Sequence, residues 1–234
     1  MRFYRLRLSG NPFEVVEPSR LLELVPAPPA LRQIFDGEWR AVQFAGPPGA
    51  GRTLRLLLAL RLLRERGLRT ALASRGKDGR WTFTVPGDAT AEVLGLDDVD
   101  RGGRAPALPP HPAGARLVLT SIRPVAVALD LADCRTFAMD TLPQDEIQSY
   151  YRARVEAVST GPAGRFPLTR DALHRLQMLS QASYYRLNRI LYQAFEGLVR
   201  DEPLEEKAIE RGHGGFLLEE QESASARGVP PVLR

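Results

Sequence analysis

The feature that most restricts the fold of this chain is the segment Gly46-Pro-Pro-Gly-Ala-Gly-Arg-Thr53. It matches the pattern G-x-x-x-x-G-[KR]-[ST], and it lies between a short apolar run, Arg40–Ala45, and a leucine- and arginine-rich stretch that ends at Gly67. A buried strand, a glycine-rich turn and a helix in this order are the context that a phosphate-binding loop requires. The alternative interpretation is a Gly-Pro loop that only turns a strand into a helix.

The positions of this loop have separate physical roles in phosphate binding. Glycines let backbone N–H groups approach phosphate oxygens, and the helix N-terminus adds a partial positive charge. Thr53 offers a hydroxyl to Mg²⁺, whereas Arg52 stands where lysine is usual. Because a guanidinium is a planar fork rather than a point charge, we expect phosphate binding without fast phosphoryl transfer. The residues predicted to contact nucleotide here are Gly46, Pro47, Pro48, Gly49, Ala50, Gly51, Arg52 and Thr53.

Two adjacent carboxylates end a later apolar run, Val93–Asp98. A carboxylate at the C-terminal end of a strand beside a phosphate loop is well placed to coordinate Mg²⁺, so Asp97 is predicted as a metal ligand together with Thr53. Asp98 is predicted to orient the attacking water, although it is one methylene shorter than the glutamate usual in that role. An acidic surface turn is the alternative interpretation.

The order of strand-like and helix-like segments predicts an α/β fold. Further strands are predicted at 68–73, 81–85, 91–98, 116–121 and 136–140, and helices at 143–158, 169–179 and 184–199. This order predicts a parallel sheet flanked by helices, of the P-loop type, followed by a small α-helical lid. The connection between the strands at 68–73 and 91–98 is too short for the usual intervening helix.

The domain organisation follows from these segments and from the charge. We expect an N-terminal wrapping segment (1–37), a P-loop α/β domain (38–142), a helical lid (143–200) and an acidic, flexible tail (201–234). The tail has eight acidic and four basic side chains, so residues 1–200 carry +8 of a total charge of +4. A basic body suits phosphate-bearing partners such as nucleic acid, and the alternative is that the excess arginine only aids solubility.

Several other function classes are disfavoured. The apolar runs, such as Leu56–Leu60, are far shorter than the roughly 20 residues that span a bilayer. No apolar signal region follows the basic N-terminus, so we expect a cytoplasmic location without membrane insertion. The single Cys134 excludes an internal disulfide or a multi-cysteine metal site, and the three histidines are widely dispersed.

Together these motifs resemble the AAA+ P-loop ATPases, in particular the group of general-secretion and transposition-regulator ATPases. The resemblance covers roughly residues 11–199. Asn11–Phe13 is similar to the entry motif of that group, residues 46–53 to its Walker A loop and Leu96–Asp98 to its Walker B motif. The stretch 172–188 is similar to its pair of lid helices.

The resemblance implies further site residues and partners. Thr120, or Ser121 beside it, corresponds to a polar sensor residue at the end of a strand. Arg135 lies where such proteins have an arginine that can reach the γ-phosphate of a neighbouring subunit. Tyr185 occupies the place of the lid arginine, and Arg186, one residue further on, is predicted to contact nucleotide instead if the helix is rotated. The implied cofactors are ATP or ADP with Mg²⁺, and the implied partners are further copies of the chain or a protein complex.

Three departures from the family pattern point to weakened catalysis, namely Arg52 for lysine, Asp98 for glutamate and Tyr185 for arginine. We therefore predict a nucleotide-binding regulatory or assembly protein with weak or absent ATP hydrolysis. One alternative is an active ATPase that acts on DNA or on a protein complex, as in the transposition-regulator or secretion types. The other is a nucleotide-free scaffold protein.

Overall fold

The computed structural model of the chain describes residues 2–16, 22–25, 27–84, 90–101, 105–161 and 166–226. The chain divides into two compact units, one formed by Met1–Pro26 with Thr141–Arg234 and the other by Ala27–Asp140. The predicted wrapping segment is therefore shared between the units, because its first part packs with the C-terminal helices.

Among the described residues, the named elements are two short helices, then six strands with one helix between the first two strands, and then four further helices. In chain order they are α1 (Arg2–Arg5), α2 (Pro29–Ile34), β1 (Ala41–Ala45), α3 (Arg52–Glu65), β2 (Thr70–Arg75), β3 (Trp81–Phe83), β4 (Val93–Asp97), β5 (Arg116–Ser121), β6 (Cys134–Ala138), α4 (Gln144–Val158), α5 (Arg170–Ser180), α6 (Tyr184–Glu196) and α7 (Glu206–Ala226).

The strands form one six-stranded sheet in the order β3-β2-β4-β5-β1-β6. Every neighbouring pair is parallel except β2 with β3. Because β1 lies between β5 and β6, and β4 lies beside β5, the C-terminal ends of β1, β4 and β5 come to the same edge of the sheet. The predicted fold class, a mostly parallel sheet with helices, is confirmed.

Helix α3 packs on this sheet through a row of leucines. Leu56, Leu60 and Leu63 are fully buried. A Cβ on Gly95 of β4 would lie 2.6 Å from Cδ1 of Leu60, so a glycine in this strand lets the helix approach the sheet. The helix ends at Glu65 with Arg66 as its C-cap, and the chain then turns at the left-handed Gly67 (φ 85°).

The connection between β2 and β4 contains strand β3 and, in its described residues 76–84 and 90–92, no helix. Strand β3 pairs with the outer edge of β2 in antiparallel register, with Ala73 opposite Phe83. The sequence therefore predicted the missing helix correctly for the part of this connection that the structure describes.

The unit formed by Met1–Pro26 with Thr141–Arg234, which we call the helical unit, is organised around a buried aromatic cluster. Phe13 stacks on Tyr151 with ring centroids 5.7 Å apart and lies 5.3 Å from the ring of Phe195. Asn11 fixes this entry segment, because its Nδ2 donates to the carbonyl oxygen of Tyr192 at 3.1 Å and its Oδ1 accepts from the N–H of Phe13. Thr169 caps α5, accepting from the N–H of Ala172 at 3.2 Å.

The acidic segment 201–234 was predicted to be a flexible tail, yet it contains the 21-residue helix α7. Ala208, Ile209 and Phe216 are buried on one face. At Gly212 a Cβ would lie 2.3 Å from the carbonyl oxygen of Ile190, so α7 crosses α6 at backbone contact distance. For residues 206–226 the prediction was wrong, because the high acidic content masked an apolar stripe with helical spacing, while residues 227–234 lie outside the described residues. Among the described residues, no helix is long and apolar enough to cross a membrane.

Candidate functional site

The glycine-rich loop joins the end of β1 to the start of α3. Gly46 donates its N–H to the carbonyl oxygen of Ser121 at 3.1 Å, which ties the loop to the end of β5. A Cβ on Gly46 would lie 2.8 Å from Cβ of Met139, so the first loop position has room only for glycine. Gly49 and Gly51 have φ of 84° and 80°, in the left-handed region that favours glycine.

The loop delivers the chain to an open helix N-terminus. Gly51 is the N-cap of α3, and no side chain of the described residues caps the helix there. The first N–H groups of a helix, here those of Arg52 and Thr53, have no intrahelical partners. A 14-residue helix with such a start carries a partial positive charge that favours an anion.

Thr53 and Thr120 both direct their hydroxyl groups to the carboxylate of Asp97. Oγ1 of Thr53 lies 3.1 and 3.0 Å from the two carboxylate oxygens. Oγ1 of Thr120 donates to Oδ1 at 2.6 Å. The structure therefore brings together a hydroxyl from the first turn of α3, a strand-end carboxylate and a hydroxyl of the adjacent strand, and their role in holding a metal ion stays a prediction.

Arg52, at the first position of α3, forms an ion pair with Asp98. Its Nη2 lies 3.1 Å from Oδ1, and the two side chains are 10% and 25% exposed. The other terminal nitrogen, Nη1, is buried and has no hydrogen-bond partner among the described residues. A buried N–H donor without an acceptor is costly, so this nitrogen marks a place where an acceptor oxygen is favourable.

Asp98 is held in an unusual conformation for a non-glycine residue, with φ of 56°. Its N–H donates to Oγ1 of Thr120 at 2.8 Å. Partial burial raises the pKa of its carboxyl, and the neighbouring charge of Asp97 raises it further, whereas Arg52 and Arg101 oppose the shift. The position is therefore one where a negative charge depends on its arginine partners.

Three residues that support the site were missed at the sequence level. Asp100 accepts hydrogen bonds from the N–H groups of Ile122 and Arg123 just after β5. Gln43, fully buried in β1, donates to Oγ of Ser121 at 2.6 Å. Arg101 lies 3.8 Å from Oδ2 of Asp98. The signal available for Gln43 was an amide in the middle of an apolar strand, since a buried polar group must be paired.

Arg135 lies away from the phosphate loop of its own chain. It pairs with Val42 near the start of β6, whereas the loop begins beyond Ala45 at the opposite end of β1. Its guanidinium donates to the carbonyl oxygens of Ile34 at 3.0 Å and Glu38 at 2.6 Å. Its predicted action on a neighbouring copy stays a prediction.

Arg186 belongs to the helical unit, on α6. Its guanidinium donates to Oε1 of Gln181, and its N–H donates to the capping hydroxyl of Ser183 at 3.2 Å. Tyr185, which stands in the place of the lid arginine, is 59% exposed. The predicted contact of Arg186 with nucleotide stays a prediction.

The donor set suits a cation that takes much of its coordination from a ligand and water. Among the described residues, no three His, Cys, Asp or Glu side chains form a group that could hold a metal ion. Mg²⁺ in nucleotide sites is typically held by one or two carboxylates together with phosphate oxygens and waters. Asp97 with Thr53 is consistent with that kind of site.

Strand order, loop and open helix N-terminus together define an α/β protein of the P-loop type. No protein-family model matches the chain, and no curated protein sequence matches it. The solved structures similar to it include the RuvB Holliday junction branch migration motor of Thermotoga maritima, with 14% identity, 83% of this chain and 67% of that chain covered, and a TM-score of 0.45.

Two further similar structures belong to other proteins. Domain III of the replication initiation protein DnaA from Thermotoga maritima is 14% identical, with 86% of this chain and 95% of that chain covered and a TM-score of 0.43. Cdc6p from Pyrobaculum aerophilum is 15% identical, with 78% and 66% covered and a TM-score of 0.42. These likenesses are too distant to carry an argument about activity, which must come from the site itself.

Proposed function

We propose that this chain is an AAA+-like nucleotide-binding protein with a regulatory or assembly role, which binds ATP or ADP with Mg²⁺ at residues 46–53 and hydrolyses ATP slowly or not at all. The observation that carries the proposal is the hydrogen-bonded set of Thr53, Asp97 and Thr120 beside the open N-terminus of α3.

The residues present fit a nucleotide phosphate and its metal ion. Nη1 of Arg52 is a buried donor that lacks an acceptor among the described residues. The close approach of Met139 to Gly46 shapes the start of the loop. Thr53 and Asp97 supply the hydroxyl and carboxylate oxygens that Mg²⁺ prefers. When bound, Mg²⁺ would neutralise phosphate charge at this edge of the sheet.

Slow hydrolysis follows from the charges around the loop. Phosphoryl transfer depends almost entirely on placing charges around the transferring group. The guanidinium of Arg52 is wider than the ammonium of lysine, and Asp98, the residue proposed to orient water, lies between the guanidinium groups of Arg52 and Arg101. A carboxylate engaged by a guanidinium is a poor acceptor for a proton from water. Arg52 is therefore able to bind phosphate, while Asp98 is poorly arranged for catalysis.

A nucleotide that is bound without rapid turnover serves as a structural ligand. Any partner that prefers the nucleotide-bound form is coupled to nucleotide by linkage. We propose a second copy of the chain or another protein as that partner, in line with the secretion and transposition-regulator ATPases that the motifs resemble. The charge of +8 on residues 1–200 favours nucleic acid as a further, polyanionic partner.

Calorimetry with Mg-ADP and Mg-ATP tests the binding site through a matched pair of glycine variants. Gly51 and Gly114 have nearly the same φ, 80° and 82°, so valine strains the backbone equally at both positions. We expect Gly51→Val to abolish the heat of nucleotide binding and Gly114→Val to retain it. Equal heats from the wild type and Gly51→Val, or no heat from the wild type and Gly114→Val, would contradict the proposal.

A further inference from the structure

The carboxylate of Asp98 is held by two arginines, one on each oxygen. Arg52 lies 3.1 Å from Oδ1, and Arg101 lies 3.8 Å from Oδ2. The Arg101 guanidinium is also 3.5 Å from the carbonyl oxygen of Arg75 at the end of β2. Asp98 therefore retains a positively charged neighbour even if Arg52 moves away.

Only one of the two terminal nitrogens of the Arg52 guanidinium is paired in this arrangement. Nη2 contacts Asp98, while Nη1 is buried and unpaired among the described residues. A guanidinium binds a carboxylate or a phosphate most strongly when two of its N–H groups engage the same anion. Its pairing with Asp98 is therefore incomplete, and the spare donor stands at the start of α3, where the helix favours an anion.

We propose that Asp98 is an internal competitor for phosphate: its carboxylate holds Arg52 when no nucleotide is bound, and a nucleotide phosphate displaces it. This inference rests on the proposed nucleotide site. In addition, the Arg52–Asp98 ion pair breaks when nucleotide binds, and Asp98 then stays beside Arg101. We call this ion pair the latch. A phosphate group carries more negative charge than a carboxylate and offers three acceptor oxygens, so it is the stronger partner for both nitrogens.

The latch also links the phosphate loop to the segment that follows β4. Asp98 is held at φ 56° between its N–H bond to Thr120 and its two arginines. Arg101 directly follows Asp100, whose carboxylate accepts the N–H groups of Ile122 and Arg123. Opening the ion pair therefore removes one of the restraints on residues 98–101, and nucleotide binding is expected to loosen that segment.

A double-mutant cycle measured with Mg-ADP, which excludes hydrolysis, tests the competition. The variants are Asp98→Asn, Arg52→Ala and the double variant, and asparagine is among the residues that best tolerate a positive φ. We expect Asp98→Asn to lower the Kd for Mg-ADP about tenfold, because Arg52 is released for the phosphate. In the Arg52→Ala background the same substitution should change the Kd less than about twofold.

Two further variants separate the competition from simpler effects. Asp98→Gly removes the carboxylate at a position whose φ suits glycine, and it should tighten binding as Asp98→Asn does. Asp100→Asn removes the same charge two residues away, from a carboxylate that accepts backbone N–H groups. It should tighten binding distinctly less than Asp98→Asn. Equal tightening in both variants would show a general charge effect and overturn the latch.

The remaining outcomes distinguish the two proposals. If the wild type binds Mg-ADP and neither Asp98 variant binds it more tightly, the competition is wrong while the nucleotide site stands. Binding by Asp98→Asn alone would support a latch that is closed in the wild type. Absence of heat from the wild type and from both Asp98 variants would overturn the nucleotide site and the competition together.

Discussion

The hydroxyl of Thr120 donates to Oδ1 of Asp97 at 2.6 Å, from the adjacent strand. The hydroxyl oxygen of Thr120 also accepts the N–H of Asp98 at 2.8 Å, so one buried side chain fixes both acidic residues at the end of β4. Because the carboxylate of Asp97 also receives the hydroxyl of Thr53, the position of the proposed metal ligand depends on β5 as much as on the loop.

Replacing this hydroxyl with a methyl group should destabilise the sheet unit. Thr120→Val has nearly the same shape but leaves the N–H of Asp98 without its acceptor, for which we expect a loss of about 1–3 kcal/mol in the free energy of unfolding. Urea unfolding measures it. Thr82→Val, on the exposed edge strand β3, is the control and should change stability by less than about 0.5 kcal/mol. Equal effects at the two positions would contradict the role of Thr120.

Thr53 should determine how strongly nucleotide binding depends on Mg²⁺. In the wild type, removing Mg²⁺ with a chelator is expected to weaken ADP binding. Thr53→Val lacks the hydroxyl oxygen, so its Kd with and without Mg²⁺ should become nearly equal, whereas Thr53→Ser should behave like the wild type. Calorimetry with Mg²⁺ and with the chelator gives the ratio of the two Kd values for ADP. A Thr53→Val variant that keeps the wild-type ratio would remove Thr53 from the metal site.

Two glycines in α7 should respond to alanine with opposite signs. A Cβ on Gly212 would collide with the carbonyl oxygen of Ile190 on α6, at 2.3 Å, so Gly212→Ala should destabilise the helical unit by about 1–3 kcal/mol. At Gly214 a Cβ meets no heavy atom of its described surroundings within 4 Å. Gly214→Ala should therefore stabilise by about 0.5–1 kcal/mol through helix propensity. Chemical denaturation of both variants measures the difference.

That pair of variants also checks the correction to the acidic segment. A segment that is unfolded in the native protein has no helix to crowd or to stabilise, so alanine at both positions would leave the unfolding curve unchanged. Such a result would restore the original prediction of a flexible tail.

Part of the fold and of the site could be predicted from local patterns in the sequence. The strand and helix on either side of residues 46–53 were predictable, because a phosphate loop has a local pattern and its neighbours have clear apolar periodicity. The meeting of Thr53 with Asp97 followed from the rule that parallel strands end at one edge. The strand at 134–138 was placed two residues too late, since its half-exposed residues give a weak signal.

Other features depend on contacts that the sequence does not state. The pairing of Arg52 with Asp98 depends on how closely the start of α3 approaches the residue that follows β4. The backbone approach at Gly212 depends on the crossing of α6 and α7, and glycine in a helix normally signals weakness rather than close packing. Arg135 was assigned from its position in a family pattern, which gives no information on the carbonyl groups it meets.

The buried tyrosines of α4 should make the protein sensitive to alkali. Burial raises the pKa of Tyr150 to about 12, and burial also raises the pKa of Tyr151. In the unfolded chain tyrosine loses its proton near pH 10. Between about pH 10 and pH 12 the folded state therefore holds more protons, and the free energy of unfolding falls as the pH rises, by about 2–3 kcal/mol for Tyr150.

Tyr150→Phe tests this pH dependence. The variant loses the hydrogen bond to Asn188, which shifts stability at every pH, but its stability should fall less steeply above about pH 10. Urea unfolding at about pH 9 and about pH 11 measures the slope. Tyr4→Phe, at an exposed position, is the control and should keep the wild-type slope. A wild-type slope in Tyr150→Phe would show that Tyr150 does not cause the alkaline loss.

The last prediction concerns hydrolysis. Wild-type turnover of ATP should lie well below the roughly 1–10³ s⁻¹ common among enzymes, because the cation of the loop is a guanidinium and the shorter water-orienting carboxylate of Asp98 lies beside Arg101. Arg52→Lys restores a compact charge, and since one misplaced stabilising group costs about 10²–10³ in rate, turnover should rise by about 10² at similar nucleotide affinity.

Adding Asp98→Glu to Arg52→Lys should raise turnover further, because the longer side chain extends the carboxylate by one methylene towards the position of the attacking water. Phosphate release under saturating Mg-ATP measures both variants, and the Gly51→Val variant gives the background of contaminating activity. Brisk wild-type turnover that Arg52→Lys leaves unchanged would show that the guanidinium fork is competent for phosphoryl transfer. In that case the chain would be a working ATPase rather than a slow nucleotide switch.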